Sequence, residues 1–169
     1  MVMLIILRGN SGSGKSTTAQ LVREVALQRG YSGKIALVEQ DYLRRIVLKE
    51  RESQGSDAIE LIYQTVAYAL KRQYAVILEG ILLAERYRPT LKRLIKLAGD
   101  HQEYYFDIPL EETFRRHATK SNVSEFGETE MTAWYHPHDV LELPNEHIIT
   151  ADMSQAQIVE TIVGRLLKA

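Results

Sequence analysis

Residues 9–16 read Gly-Asn-Ser-Gly-Ser-Gly-Lys-Ser, a complete G-x-x-x-x-G-K-S pattern. The residues before it, Val2, Met3, Leu4, Ile5, Ile6 and Leu7, form an unbroken apolar run, and those after it, from Thr17 to Ala26, carry helical spacing. A strand that feeds a glycine-rich turn and then a helix leaves few folds open. The strand belongs inside a parallel sheet, with the helix packed back across it. The chemistry narrows the choice further. Glycines let successive backbone N–H groups curl around an anion with no Cβ in the way. The helix start adds the positive end of its dipole. Lys15 supplies a point charge for β- and γ-phosphates, and the Ser16 hydroxyl is a ligand for Mg²⁺. Gly9, Asn10, Ser11, Gly12, Ser13, Gly14, Lys15, Ser16 and Thr17 are therefore expected to bind ATP.

Short apolar runs recur along the chain. They predict strands at residues 2–8, 34–39, 74–79, 103–107 and 146–150, each rich in Ile, Val, Leu or Tyr and bounded by charged or turn residues. The runs at 35–38 and 75–78 do not alternate, as suits strands buried on both faces. Between them Ile59, Ile62, Val66 and Leu70 keep helical spacing, as do Ile158, Ile162 and Leu166. Ser154 and Gln157 form a capping-box start. Pro109 reads as the first residue of another helix, with Glu111 and Glu112 in its first turn. Strand and helix alternate, which predicts an α/β fold with right-handed crossovers. The polar stretch 119–130 interrupts the pattern and reads as a mobile flap.

A length of 169 residues suits one domain, 1–169, with a core large enough to be stable alone. A formal net charge of −1 gives no global pull toward nucleic acid or membrane. The absence of cysteine excludes disulfides, thiolate metal sites and a thiol nucleophile. No apolar stretch approaches the roughly 20 residues of a membrane span, and the first eight residues lack the basic region of a signal peptide. The expectation is a cytoplasmic protein with no membrane partner.

In open α/β sheets ligands gather at the carboxyl ends of strands. The second run ends at Glu39, Gln40 and Asp41, the third at Glu79, the fourth at Asp107. Asp41 is the candidate general base for a hydroxyl attacking a phosphoryl group; its structural alternative is the N-cap of a helix starting near Tyr42. Arg44, three residues on, points to the same cleft and suits an anionic group on the acceptor. Glu79 is a candidate Mg²⁺ ligand alongside Ser16. Asp107 is better read as a cap for the helix opened by Pro109. Arg115 or Arg116, with Lys120, is a candidate for neutralising charge at the transferring phosphoryl group. The basic run Arg86, Arg88, Lys92, Arg93 and Lys96 is either an anion groove or a solvated helix face. Trp134 and Tyr135 read as packing beneath the flap, and His136 with His138 is a weak metal signal.

With the loop at 9–16, Asp41-x-x-Arg44, Glu79-Gly80 and the Arg115-Arg116 region in place, the chain resembles the small P-loop kinases, in particular the polynucleotide-kinase, chloramphenicol-phosphotransferase and zeta-toxin group. The resemblance implies a P-loop NTPase fold, three layers around a five-stranded parallel sheet in the order 2-3-1-4-5, with a helical lid over residues 115–136. It implies Mg-ATP as donor and an adenine site near Thr150, Ala151 and Asp152. The expected function is a kinase that transfers the γ-phosphoryl group to a hydroxyl of a small-molecule or nucleotide acceptor. The alternatives are a polynucleotide 5′-hydroxyl kinase acting on a short end, and an ATP-hydrolysing regulator with no acceptor.

Overall fold

An apolar residue at every position of a strand needs cover on both faces, and β1 (Met3–Gly9) obtains it: all seven of its residues are buried. In the computed structural model, which describes residues 2–51, 53, 55–119, 126–143 and 145–168, β1 is the middle strand of a five-stranded sheet. Its partners are β2 (Lys34–Glu39), β3 (Tyr74–Gly80), β4 (Asp100–Phe106) and β5 (Glu146–Ile149), in the order β2-β3-β1-β4-β5. All pairings are parallel. This is the order the resemblance implied. The fourth strand starts three residues earlier than the apolar pattern suggested, because Asp100, His101 and Gln102 pair with Met3, Leu4 and Ile5.

The pleat sends alternate residues to opposite layers. Met3, Ile5 and Leu7 join Ala19, Val22, Ile158 and Ile162 on one face, under α1 (Lys15–Gln28) and α6 (Gln155–Leu166). Leu4 and Ile6 join Ile62, Val66, Leu91 and Leu94 on the other, under α2 (Asp57–Lys71) and α3 (Ala84–Ala98). Two cores of this kind make the central strands rigid, so the loops at their carboxyl ends sit on a fixed platform. The Ser154–Gln157 capping box at the start of α6 is formed as expected.

Two short helices complete the chain: α4 (Leu110–His117) and α5 (Glu128–Trp134). Helix α4 begins one residue after Pro109 and has no side-chain cap. Asp107 is not a cap; its carboxylate pairs with His138 Nδ1 at 2.6 Å. Asp41 also caps nothing. The segment after it, Tyr42–Val47, forms a π-helical turn rather than an α-helix. Wider turns of this type often mark functional sites. Among the described residues no helix is long and apolar enough to cross a membrane.

Candidate active site

The loop between β1 and α1 depends on glycine at two positions in particular. Gly12 has φ +76°, and a Cβ there would stand 2.7 Å from the Thr113 carbonyl oxygen of α4. Gly14 has φ +99° and leads directly into α1. The first turn of α1 carries no acidic residue, so the dipole end and its spare N–H groups remain available to an anion. The Lys15 ammonium folds back to donate to the Asn10 carbonyl at 3.1 Å, spanning the loop. Thr17 is exposed, the third residue of α1.

Sheet register brings the next group into place. Arg8, the penultimate residue of β1, lies opposite Gly80, and Leu7 lies opposite Glu79. From this position the Glu79 carboxylate reaches α1, where the Ser16 hydroxyl donates to Oε1 at 3.1 Å. Glu79 is 4% exposed, and its Oε2 is buried without a protein partner. Burial pushes this carboxyl above its ordinary value; the Lys15 charge and the Ser16 hydrogen bond oppose that, and Glu39 and Asp41 reinforce it. A hard cation suits such a donor set, because Mg²⁺ takes one or two carboxylates, retains several waters and completes its shell with phosphate oxygens. The orphaned Oε2 beside a hydroxyl fits Mg²⁺, and Ser16 and Glu79 are the residues that could hold it. Among the described residues no group of three or more His, Asp or Glu side chains stands ready for a metal on its own.

Asp41 stands at a junction. It lines a cleft of about 370 Å³ with Lys15, Ser16, Glu39 and Glu79, and a larger cavity of about 700 Å³ with Arg44, Arg51, Arg86 and Trp134. The Arg44 guanidinium donates to Asp41 Oδ1 at 2.8 Å, and Arg44 also donates to the Glu50 carbonyl at 3.3 Å. Asp41 and Arg44 thus meet, as their spacing suggested, although on a π-helical turn.

The two adjacent arginines of α4 separate. Arg116 donates to the Ser13 carbonyl at 2.8 Å and to Glu112 at 2.7 Å, which places it on the phosphate loop. Arg115 is 73% exposed and, among the described residues, forms a two-pronged pair with Glu112. The two guanidinium groups hold the Glu112 carboxyl down to about 2. Lys120 falls outside the described residues. The basic run on α3 divides in the same way. Arg86 lines the larger cavity, whereas Arg88 pairs with Glu142 and Arg93 pairs with Glu60 while lying over the Tyr63 ring. The run is mainly a helix face, with one residue in the site.

Three residues shape the site through contacts that no local pattern encodes. Asn10 holds the backbone of His136, accepting from its N–H at 2.9 Å and donating to its carbonyl at 2.8 Å. Gln40 is 2% exposed; it donates to the Tyr87 hydroxyl and accepts from the Leu82 N–H. It lies so close over Gly80 that a Cβ there would meet Gln40 Oε1 at 2.3 Å. Arg8 is fully buried and reaches Asp139, Glu146 and the Leu82 carbonyl. His136 and His138 are used as structural contacts here, by backbone and by the Asp107 pair respectively. Trp134 packs at an angle to Phe126 with ring centroids 5.3 Å apart, yet stays 45% exposed.

Residues 4–144 match the model of a family described as AAA domain. Among solved structures, the Mycobacterium tuberculosis APS kinase CysC, in complex with AMPPNP and APS, superposes with a TM-score of 0.76 at 20% identity, covering 99% of this chain and 98% of that one. A gluconokinase from Sinorhizobium meliloti superposes with a TM-score of 0.65 at 15% identity, covering 97% and 91%. No functionally curated protein has a similar sequence. At these identities the likeness establishes the fold, an α/β P-loop architecture; it does not single out the polynucleotide-kinase, chloramphenicol-phosphotransferase and zeta-toxin group.

Proposed function

The chain belongs to the AAA-domain family whose model spans residues 4–144, and from that premise we propose that it is an ATP- and Mg²⁺-dependent kinase acting on a hydroxyl of a small-molecule or nucleotide acceptor. The observation that carries the reading is the position of Asp41, which lines both the phosphate-loop cleft and the larger cavity beside it. A hydrolase needs room for water only; a cavity of about 700 Å³ on the far side of a carboxylate suits a second substrate.

Bound Mg-ATP supplies the γ-phosphoryl group and the metal's charge. The protein's part is positioning and electrostatic stabilisation. Loop amides and Lys15 neutralise the phosphates, Ser16 and Glu79 hold the metal, and Arg116 offsets charge that develops on the equatorial oxygens. Asp41 accepts the acceptor hydroxyl's proton as the new P–O bond forms and the β–γ bridging bond breaks. Arg44 orients the Asp41 carboxylate through the 2.8 Å bond between them.

The test is a screen of hydroxyl acceptors with labelled ATP, short 5′-hydroxyl oligonucleotides included. Acceptor-stimulated turnover is expected, and ATP hydrolysis indifferent to every acceptor favours the regulator instead. With an acceptor in hand, Asp41→Asn is expected to leave ATP affinity near normal and lower turnover about 10²–10⁴-fold. Turnover that survives this substitution removes Asp41 as the base. Lys15→Ala is expected to abolish nucleotide binding and transfer together.

A further inference from the structure

Asn10 is the first residue after β1, and it is 5% exposed. Its main chain and its side chain face different partners. The carbonyl oxygen accepts from the Lys15 ammonium at 3.1 Å and from the Ser13 N–H at 3.2 Å, both within the phosphate loop. The side-chain amide reaches 126 residues along the chain instead, to the backbone of His136, accepting from its N–H and donating to its carbonyl. Asparagine suits this contact, because one planar amide carries the donor and the acceptor that match a peptide's own pair; an aspartate only accepts. Buried contacts of this kind are costly to leave unmade, so the loop and His136 move together. The far side of His136 is pinned. His138 pairs with Asp107 at 2.6 Å, and Asp139 accepts from Arg8 and from the Ala84 N–H. The near side leads to Trp134, the last residue of α5. Among the described residues Trp134 lines the larger cavity and not the phosphate-loop cleft. Between them Tyr135 is held by the tip of its ring, whose hydroxyl donates to the Ile108 carbonyl.

Resting on the kinase reading, we infer that Asn10 is a positioning residue: it ties the phosphate loop to the α5 wall of the acceptor cavity, so that a nucleotide in the loop sets where Trp134 stands. The nucleotide acts on Asn10 directly. Its β- and γ-phosphates draw the Lys15 ammonium, which takes a charged donor from the Asn10 carbonyl, and charge-assisted hydrogen bonds are the stronger kind. The loop amides turn toward the same phosphates. The nucleotide therefore interacts differently with two arrangements of the loop, which is the condition for a ligand to shift one into the other. The shift reaches His136 through a two-pronged bond, which resists both sliding and rotation. The anchors at His138 and Asp139 block its path down the chain. Helix α5 yields more easily, because it buries only Met131 among its residues. In a kinase this arrangement has a use. The wall that receives the acceptor is set once the donor is in place, which favours donor before acceptor.

Trp134 is the only tryptophan in the chain, so its emission reports on this wall. The experiment titrates the full-length protein with AMP-PNP and Mg²⁺ and follows that emission. Binding is measured in parallel by calorimetry, so that every variant is compared at saturation. The parent's emission maximum is expected to shift, and Asn10→Ala is expected to lose the shift. His136→Pro removes the N–H from which Asn10 accepts, leaves the loop's own residues in place, and is expected to lose it as well. His136→Ala retains the backbone contact and is expected to retain the shift. Tyr105→Phe separates coupling from stability alone. The Tyr105 hydroxyl donates to the same His136 carbonyl at 3.3 Å and accepts from the Asp139 N–H, so this variant is expected to melt lower yet retain the shift. A parent that binds AMP-PNP with no change in emission overturns the inference and leaves the kinase reading intact. A full shift in Asn10→Ala does the same or, should that variant bind no nucleotide, a full shift in His136→Pro. Loss of the shift in His136→Ala or Tyr105→Phe overturns the inference too, because the signal then follows the stability of the segment rather than Asn10. A parent that binds no AMP-PNP overturns both.

Discussion

Glu79 is a carboxylate placed where ionisation is costly. It is almost fully buried, Glu39 is its cross-strand neighbour, and burial is the main cause of its raised pKa. Such a residue destabilises the free protein in its charged form and becomes favourable when a cation arrives, a common conflict between stability and activity. Glu79→Gln keeps the shape and the Ser16 contact while removing the charge. The variant without ligands is expected to be more stable by about 1 kcal/mol, roughly 2–4 °C in Tm for a chain of this size. Its affinity for Mg²⁺ in the nucleotide complex is expected to fall about 10–100-fold. Calorimetric melts with and without Mg-ATP check both halves, and a lower Tm for the free variant contradicts the account. The sequence placed Glu79 at a strand end beside the loop, because strand length and loop motif are local patterns. It did not show that Oε2 is buried without a partner, since that depends on the layers packed around the strand.

At the level of elements, α4 is the unit that touches the loop. Only glycine fits at position 12, because the Thr113 carbonyl stands where a Cβ would go, and Arg116 donates to the Ser13 carbonyl. Adjacent helical residues point about 100° apart, so one of the pair Arg115 and Arg116 faces the loop and the other faces solvent. Sequence spacing identified the pair and could not choose between them, because the choice is made by how α4 docks. Arg116→Ala is expected to lower turnover by tenfold or more, less than the about 10³–10⁵ attributed to arginines that neutralise phosphoryl charge directly. Arg115→Ala is expected to stay within about twofold, as exposed ion pairs contribute little. Steady-state kcat and KM for ATP in the two variants decide the matter; equal losses contradict the assignment. Asp107 gives the same lesson. Its position before Pro109 suggested a cap, and a long-range pair with His138 took it instead.

Over the whole molecule, the places of the strands along the chain and the two-sided burial of β3 were readable from apolar runs, and the strand order came from the resemblance. Strand β2 lies at the sheet edge with only Val38 buried, contrary to the expectation for residues 35–38. The segment that closes over the sheet was not readable. Arg8 joins Asp139 and Glu146 at 2.8 and 2.9 Å, across more than a hundred residues of chain, and Tyr105 lends its hydroxyl to the Asp139 N–H. No local pattern encodes such a cluster. Arg8→Met leaves two carboxylates without their cation, which is expected to cost about 3–5 kcal/mol in urea unfolding. The same neighbourhood makes stability depend on pH. Glu103 is 1% exposed, and burial raises its carboxyl above the ordinary value of 4.5, with His101 opposing and Glu146 adding to the rise. Glu79 is raised as well. An acid with a raised folded pKa binds its proton more tightly in the folded state. Its contribution is fully present below the unfolded value of 4.5 and is lost as pH rises through the folded one. Other groups act in the other direction. His147 is lowered by burial and by Arg165, so folding gains from it as pH rises toward 6.5. The lowered carboxyls of Glu112 (about 2), Glu130, Asp152 and Glu160 contribute above their ordinary values and lose that contribution as pH falls below them. His147 and Glu112 lie nearer to solvent, so screening weakens their effect. The free protein is therefore expected to melt highest in mild acid, near pH 5, and progressively lower toward pH 8. Glu79→Gln with Glu103→Gln removes both carboxylates and leaves His147 and Glu112 in place, so the difference between variant and parent isolates the buried pair. That difference should grow with pH; a parent protein whose Tm rises from pH 5 to pH 8 in parallel with the variant would show that both carboxylates ionise at their ordinary values.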